Sequence, residues 1–214
     1  MYWTNVAQKD FADAVRSKMF WALSGLMLLL AYIGLYIPEA VGDDPTVSDG
    51  IEVLSGVIGF LIPIVALVVG YMSIVGERET GSIRMVLSLP LKRWEVLVGK
   101  LVGRTAVIVV PILVGFSLAV PFALLVYGNL PGTEYGEFVT GVLLIGFTFV
   151  AIAVGVSGAV DSRGKALAAV VGIYALFEFF WSLIPLGLFW LTNRELPEGE
   201  GPTWVEALNG ATPT

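Results

Sequence analysis

The sequence contains no histidine and no cysteine among its 214 residues, and only 14% of them are charged. Each shortage removes a class of function. Without histidine there is no serine–histidine dyad or triad, no histidine–zinc site and no histidine haem ligation. Without cysteine there is no thiol redox chemistry and no thiolate metal site. Aspartate is missing from every long apolar run, which excludes paired intramembrane aspartates. An enzyme would have to work with one intramembrane carboxylate, Glu178, and that is too little. A soluble domain carries roughly a quarter charged residues. With so small a share and a mean hydropathy of +0.85, this chain has too little polar surface to face water on all sides.

The next scarcity is one of place. Apolar runs at about 19–37, 53–76, 105–127, 138–160 and 166–192 are each long enough to cross hydrocarbon, which takes about 20 residues. They are solid rather than alternating, so they imply helices and not a barrel. Between them the charges alternate by compartment. One set of segments holds Lys9, Arg16, Lys18, Arg78, Arg84, Lys92, Arg93, Lys100, Arg104, Arg163 and Lys165, which is 11 of the 12 basic residues. The other set holds only Arg194. Positive charge marks the cytoplasmic side of a membrane protein. The N-terminus is therefore expected inside and the 193–214 tail outside. The first run is long for a signal peptide, and Pro38-Glu39-Ala40 is a poor cleavage site. The expected fold is all-α: a polytopic membrane helix bundle at the cell membrane with five transmembrane helices in 19–192, an amphipathic helix in 1–18 and a cytoplasmic loop at 77–104.

The outer segments are acidic. Glu39, Asp43, Asp44, Asp49, Glu52, Glu134, Glu137, Glu195, Glu198, Glu200 and Glu206 make up 11 of the 18 acids. Such a face is solvated first and a loose cation binder second. It suits strong salt, where the screening length is about 3 Å at 1 M.

In 1–18, Trp3, Ala7, Phe11 and Ala14 share one helical face, and Lys9, Asp10, Asp13 and Arg16 are assigned elsewhere. Pro63, Pro111, Pro121 and Pro185 interrupt the spans and are expected to kink them. Gly99-x-x-x-Gly103 matches the small-residue packing pattern, a weak signal among 25 glycines. In the tail, Thr203-x-x-Glu206 followed by Asn209-Gly210 suggests a short helix at about 204–208.

The 77–104 loop is more than a connector. Glu77 and Glu79 precede an apolar cluster at helical spacing (Ile83, Val86, Leu87), and acids favour a helix start. The expected helix covers 77–88 and ends before Pro90. A second helix follows, with Leu91, Trp94, Leu97, Val98 and Leu101 on one face and Lys92, Arg93 and Lys100 off it, running into the third span. A basic interfacial linker would explain the cations. It would not explain Glu77, Glu79 and Glu95 among them.

These residues resemble the signature loop of the ABC-2 type permeases, the membrane subunits of ATP-binding-cassette exporters. The pattern appears as Glu77/Glu79, Gly81-Ser82, Val86-Leu87-Ser88, Pro90, Arg93, Glu95 and Gly99-Lys100. Arg84 lies within the same stretch. The acidic outer loops look like those of salt-loving archaeal members. The resemblance implies a permease subunit forming a translocation path, paired as a homodimer or with a second permease. It implies export driven by separate cytoplasmic ATPase subunits, on which the 77–88 helix docks. It implies no cofactor in this chain, since ATP would sit on the partner; the sequence indeed lacks Gly-x-x-x-x-Gly-Lys-Ser/Thr. Family members usually have six spans. A last span is therefore expected to be missing, either from the protein or from this stretch of it. The other function considered is a membrane scaffold that binds a soluble partner through the same loop.

Glu178 stands near the middle of the fifth run, where a charge costs about 2.5–3.5 kcal/mol. It is expected to face the bundle interior, either lining a path or making a structural hydrogen bond.

Overall fold

A computed structural model describes residues 3–41, 46–81 and 93–191. Seven helices are found among them: α1 (Trp3–Val15), α2 (Lys18–Val41), α3 (Val47–Gly70), α4 (Val75–Thr80), α5 (Arg93–Tyr127), α6 (Gly132–Ala159) and α7 (Arg163–Leu191). Among the described residues, the helical segments over Lys18–Ala40, Val47–Glu79, Trp94–Tyr127 and Gly132–Ala159 are long and apolar enough to span a membrane. The fifth expected span coincides with α7, a 29-residue helix whose later side chains partly lie outside the described residues. The protein is an all-helical, polytopic membrane bundle. The tail expected to form a helix at 204–208 lies outside the described residues.

The chain divides into two units, Met1–Val170 and Val171–Thr214. In the first, α1 and α2 pack along α5, α3 packs on α2 and α6, and α5 also meets α6. The core is apolar. Phe116, Met27, Leu35, Ile58, Ile62, Ile112, Val150 and Val154 are essentially sealed. The flanks are apolar too: Trp21, Phe60, Leu125 and Leu144 are more than half exposed. A surface of that kind calls for lipid as its solvent. The second unit carries the later turns of α7.

Lipid tails leave little hydrophobic drive between helices, so close packing must hold them. Glycines set the crossings. A Cβ at Gly115 would lie 3.1 Å from the backbone of Met27 and Leu28, and one at Gly70 would lie 2.5 Å from the Cβ of Ala153. Ala153 can yield only by moving its backbone. Gly70→Ala is therefore expected to destabilise the fold by about 1–3 kcal/mol through overpacking. Ala153→Gly in the same chain should restore most of the loss, as read by thermal unfolding in detergent.

α5 has 35 residues, about 52 Å at 1.5 Å per residue. That exceeds the roughly 30 Å of hydrocarbon. Its first turns are thus an extension of the span, as expected of the second loop helix. Pro63, Pro111 and Pro121 all lie inside helices that continue past them.

The two ends of the first unit differ in charge. At one end Thr46 and Asp49 form a capping box at the start of α3, Ser48 donates to Glu134 at 2.6 Å, and the Tyr127 hydroxyl donates to the Leu35 carbonyl. At the other end lie Asp10, Glu77, Arg78, Glu79, Lys100, Arg104 and Arg163, joined by ion pairs and hydrogen bonds.

Candidate functional site: the charged elbow at the basic end

The elbow begins where α3 stops. Gly70 ends that helix, residues 71–74 form turns, and α4 starts at Val75. The first N–H groups of a helix have no acceptor within it. Here the buried Ser157 of α6 supplies one. Its hydroxyl oxygen accepts from the N–H of Ile74 and of Val75, each at 3.0 Å. α4 is only six residues long and ends at Gly81, whose φ of +75° is left-handed and closes the helix with an N–H bond to the Arg78 carbonyl. The helix expected over 77–88 is therefore interrupted at Gly81. The rest of that expected helix, with the Ile83 cluster, lies outside the described residues.

Glu77, Arg78 and Glu79 are consecutive, and each reaches a different helix. The Glu77 carboxylate contacts the Lys100 ammonium of α5. The Arg78 guanidinium donates to the Val160 and Gly158 carbonyls at 3.0 and 2.9 Å, capping the C-terminus of α6. Glu79 pairs with the Arg163 side chain at 2.7 Å and accepts from the Arg163 backbone N–H at 2.8 Å, at the N-terminus of α7. Three neighbouring side chains thus tie one short element to three other helices.

Lys100 is the hub of the cluster. Its ammonium lies 2.9 Å from Asp10 Oδ1 of α1 as well as against Glu77. Arg104 Nε is 2.9 Å from Asp10 Oδ2, and its Nη1 donates to the Val69 carbonyl at 3.3 Å. Asp10 is 7% exposed and Lys100 4%. Both placements correct the sequence reading, which puts Asp10 and Lys100 off the packed faces. The physical reason is mutual neutralisation: two carboxylates and two cations meet in one place, so each can be taken out of water.

Two glycines of α5 allow this approach. A Cβ at Gly99 would fall 2.7 Å from Val6 Cβ and 2.9 Å from the Trp3 carbonyl oxygen, and one at Gly103 would fall 2.9 Å from Asp10 Cβ. The Gly99-x-x-x-Gly103 motif is the bed on which α1 lies.

The remaining expected residues fall as follows. Glu95 is half-buried in the first turn of α5, where its charge suits the helix dipole. Arg93 is the first residue of α5. Ser82, Arg84, Leu87 and Pro90 lie outside the described residues. Glu178 is an exposed residue of α7, within the second unit. Sequence reasoning did not single out Asp10, Arg78, Arg104, Ser157 or Arg163 as site residues. Only Arg78 carried a signal, through its place between two acids of the motif.

A protein-family model described as an ABC-2 family transporter protein matches residues 4–214. The chain is similar to the probable ABC transporter permease protein NosY of Stutzerimonas stutzeri, at 32% identity over 212 residues, covering 96% of this chain and 76% of that one. It is also similar to the probable ABC transporter permease protein NosY of Pseudomonas aeruginosa, at 30% identity over 218 residues, covering 97% and 77%. These bacterial relatives lend no support to a source in a salt-loving archaeon.

Proposed function

Since the chain belongs to the ABC-2 family of transporter proteins and is a permease subunit of an ABC transporter, we propose that it takes its driving force at the elbow formed by α4, residues 82–92 and the start of α5. A separate cytoplasmic ATPase docks on 82–92, with Ser82, Arg84, Leu87 and Pro90 in the contact. The observation that carries this reading is the fan of Glu77, Arg78 and Glu79 onto α5, α6 and α7. An element so tied cannot be displaced without displacing the spans, which is what a lever between an engine and a membrane path requires.

The finer reading follows from the charges. The basic end faces the cytoplasm, with the N-terminus inside, because lysine and arginine concentrate there. The permease works as a pair, a homodimer or a heterodimer, with lipid on its outer flanks. Transport is outward. Glu178 lies toward the paired subunit or the substrate path, where a carboxyl on a span is better placed than in lipid. A scaffold without transport is the weaker reading, since the family membership already accounts for the loop.

The natural chain has no cysteine, so single cysteines report cleanly. Cysteine at Arg84 or Leu87 should crosslink to the co-expressed ATPase. Cysteine at Ser48, on the acidic end, should not. Crosslinking from Ser48 alone, or labelling of position 84 by a membrane-impermeant reagent added outside intact cells, would refute the docking site and the orientation together.

A further inference from the structure

α1 has no place in the lever as described so far, yet it is bound to it by the most deeply buried charges among the described residues. Asp10 of α1 and Glu77 of α4 share one ammonium, that of Lys100. The two contacts are unequal. The Asp10 side chain is 7% exposed and backed by Arg104, whereas the Glu77 side chain is 28% exposed. Buried ion pairs are a poor source of stability, because desolvation offsets most of their Coulomb energy. Their best-attested use is to fix a register between packed elements. The register here is already narrow: Gly99 and Gly103 leave α1 so close to the α5 backbone that sliding would drive Val6 or Asp10 into it.

Resting on the coupling reading above, we propose that Asp10 is a positioning residue for energy coupling. Acting through Lys100, it sets where Glu77 sits, so that α1 and α4 move as one piece when residues 82–92 are pushed. The amphipathic helix is then a second arm of the lever, laid along the membrane surface, rather than an anchor.

The test uses the full-length permease purified in lipid nanodiscs with the ATPase that co-purifies with it. Two readouts are taken. One is ATP hydrolysis by the complex relative to the ATPase alone. The other is the distance between spin labels on Ala12→Cys in α1 and Leu144→Cys in α6, with and without ATP and vanadate. The unaltered site should give a nucleotide-dependent change in distance. In Asp10→Asn that change should vanish and the stimulation of hydrolysis should fall at least fivefold, with Asp10→Glu restoring both. Should Asp10→Asn fail to assemble, Asp10→Asn/Arg104→Gln keeps Lys100 paired with Glu77 in a neutral cluster and should show the same losses. An assembled variant lacking Asp10 that keeps the distance change, with stimulation within twofold, overturns the proposal. Scrambling 82–88 separates the two levels. If the scrambled complex is still stimulated, or if no ATPase co-purifies, the coupling reading itself fails. If scrambling abolishes stimulation and Asp10→Asn does not, only the role of Asp10 fails.

Discussion

Lys100→Met should be among the most damaging single substitutions at the basic end. Methionine keeps much of the length and the apolar stem of lysine, so packing is little changed. What disappears is the one ammonium shared by Asp10 and Glu77. Glu77 is partly exposed and can turn toward water. Asp10 is 7% exposed and cannot, and it keeps only Arg104. Breaking a buried pair from one side typically costs 3–5 kcal/mol, because a charge remains without its partner. The residual contact with Arg104 places the expected loss near the lower end, about 3 kcal/mol. Folded protein should fall sharply in membranes, and the unfolding midpoint in detergent should drop.

The double variant Asp10→Asn/Lys100→Met makes this a test of charge and not of shape. Asparagine and methionine leave no uncompensated carboxylate at α1, so the pair should be more stable than Lys100→Met alone. A double-mutant cycle would then give a coupling energy between the two positions of about 1–3 kcal/mol. Additive losses would mean that Asp10 and Lys100 do not act on each other in the folded protein, and the hub would be an accident of packing. Lys100→Arg should sit between the two, since a guanidinium keeps the charge but needs more room than a site 4% exposed provides.

The same cluster shows where sequence reading succeeds and where it stops. Solid apolar runs and lopsided lysine and arginine identify a polytopic bundle, because bilayer thickness and charge placement are averages over many residues. The partition even anticipates that Asp10, Arg78, Lys100, Arg104 and Arg163 gather at one end. Facing is a different matter. A helical wheel assigns Asp10 and Lys100 to solvent because each is charged, and it cannot see that they lie 90 residues apart and neutralise one another. Gly99 and Gly103 were visible as a pattern, but the pattern does not name its partner, and α1 was hidden. At Gly81 the sequence did contain the signal: a glycine just past a short charged turn is a helix stop. The later part of the helix expected over 77–88, residues 82–88, lies outside the described residues. The acids of the motif suggest a docking surface by sign alone. In the fold Glu77 and Glu79 point their charge at Lys100 and Arg163 instead.

Ser157 is the least legible residue of all, and its removal should rival that of Lys100. In the sequence it is one hydroxyl in a run of small and apolar residues, Val154-Gly155-Val156-Ser157-Gly158, where a serine bonding back to its own helix would be the ordinary reading. In the fold it has no exposed surface, and its oxygen accepts from two backbone N–H groups of another element. Ser157→Ala removes both bonds and replaces nothing. Ile74 is 7% exposed and Val75 is fully enclosed, so water has no easy route to either N–H. An unsatisfied buried donor costs about 1–3 kcal/mol. Two of them set an expected loss of about 2–4 kcal/mol if the chain relaxes partway. Ser157→Thr keeps the oxygen and should recover most of it. Amide exchange distinguishes local from general damage. In Ser157→Ala the peptide covering residues 71–78 should lose protection far more than the α2–α5 contact, since what comes loose is the root of α4. If exchange there is unchanged and stability falls by less than about 1 kcal/mol, then α4 is held by its charges alone, and the elbow is a softer joint than its two hydrogen bonds to Ser157 imply.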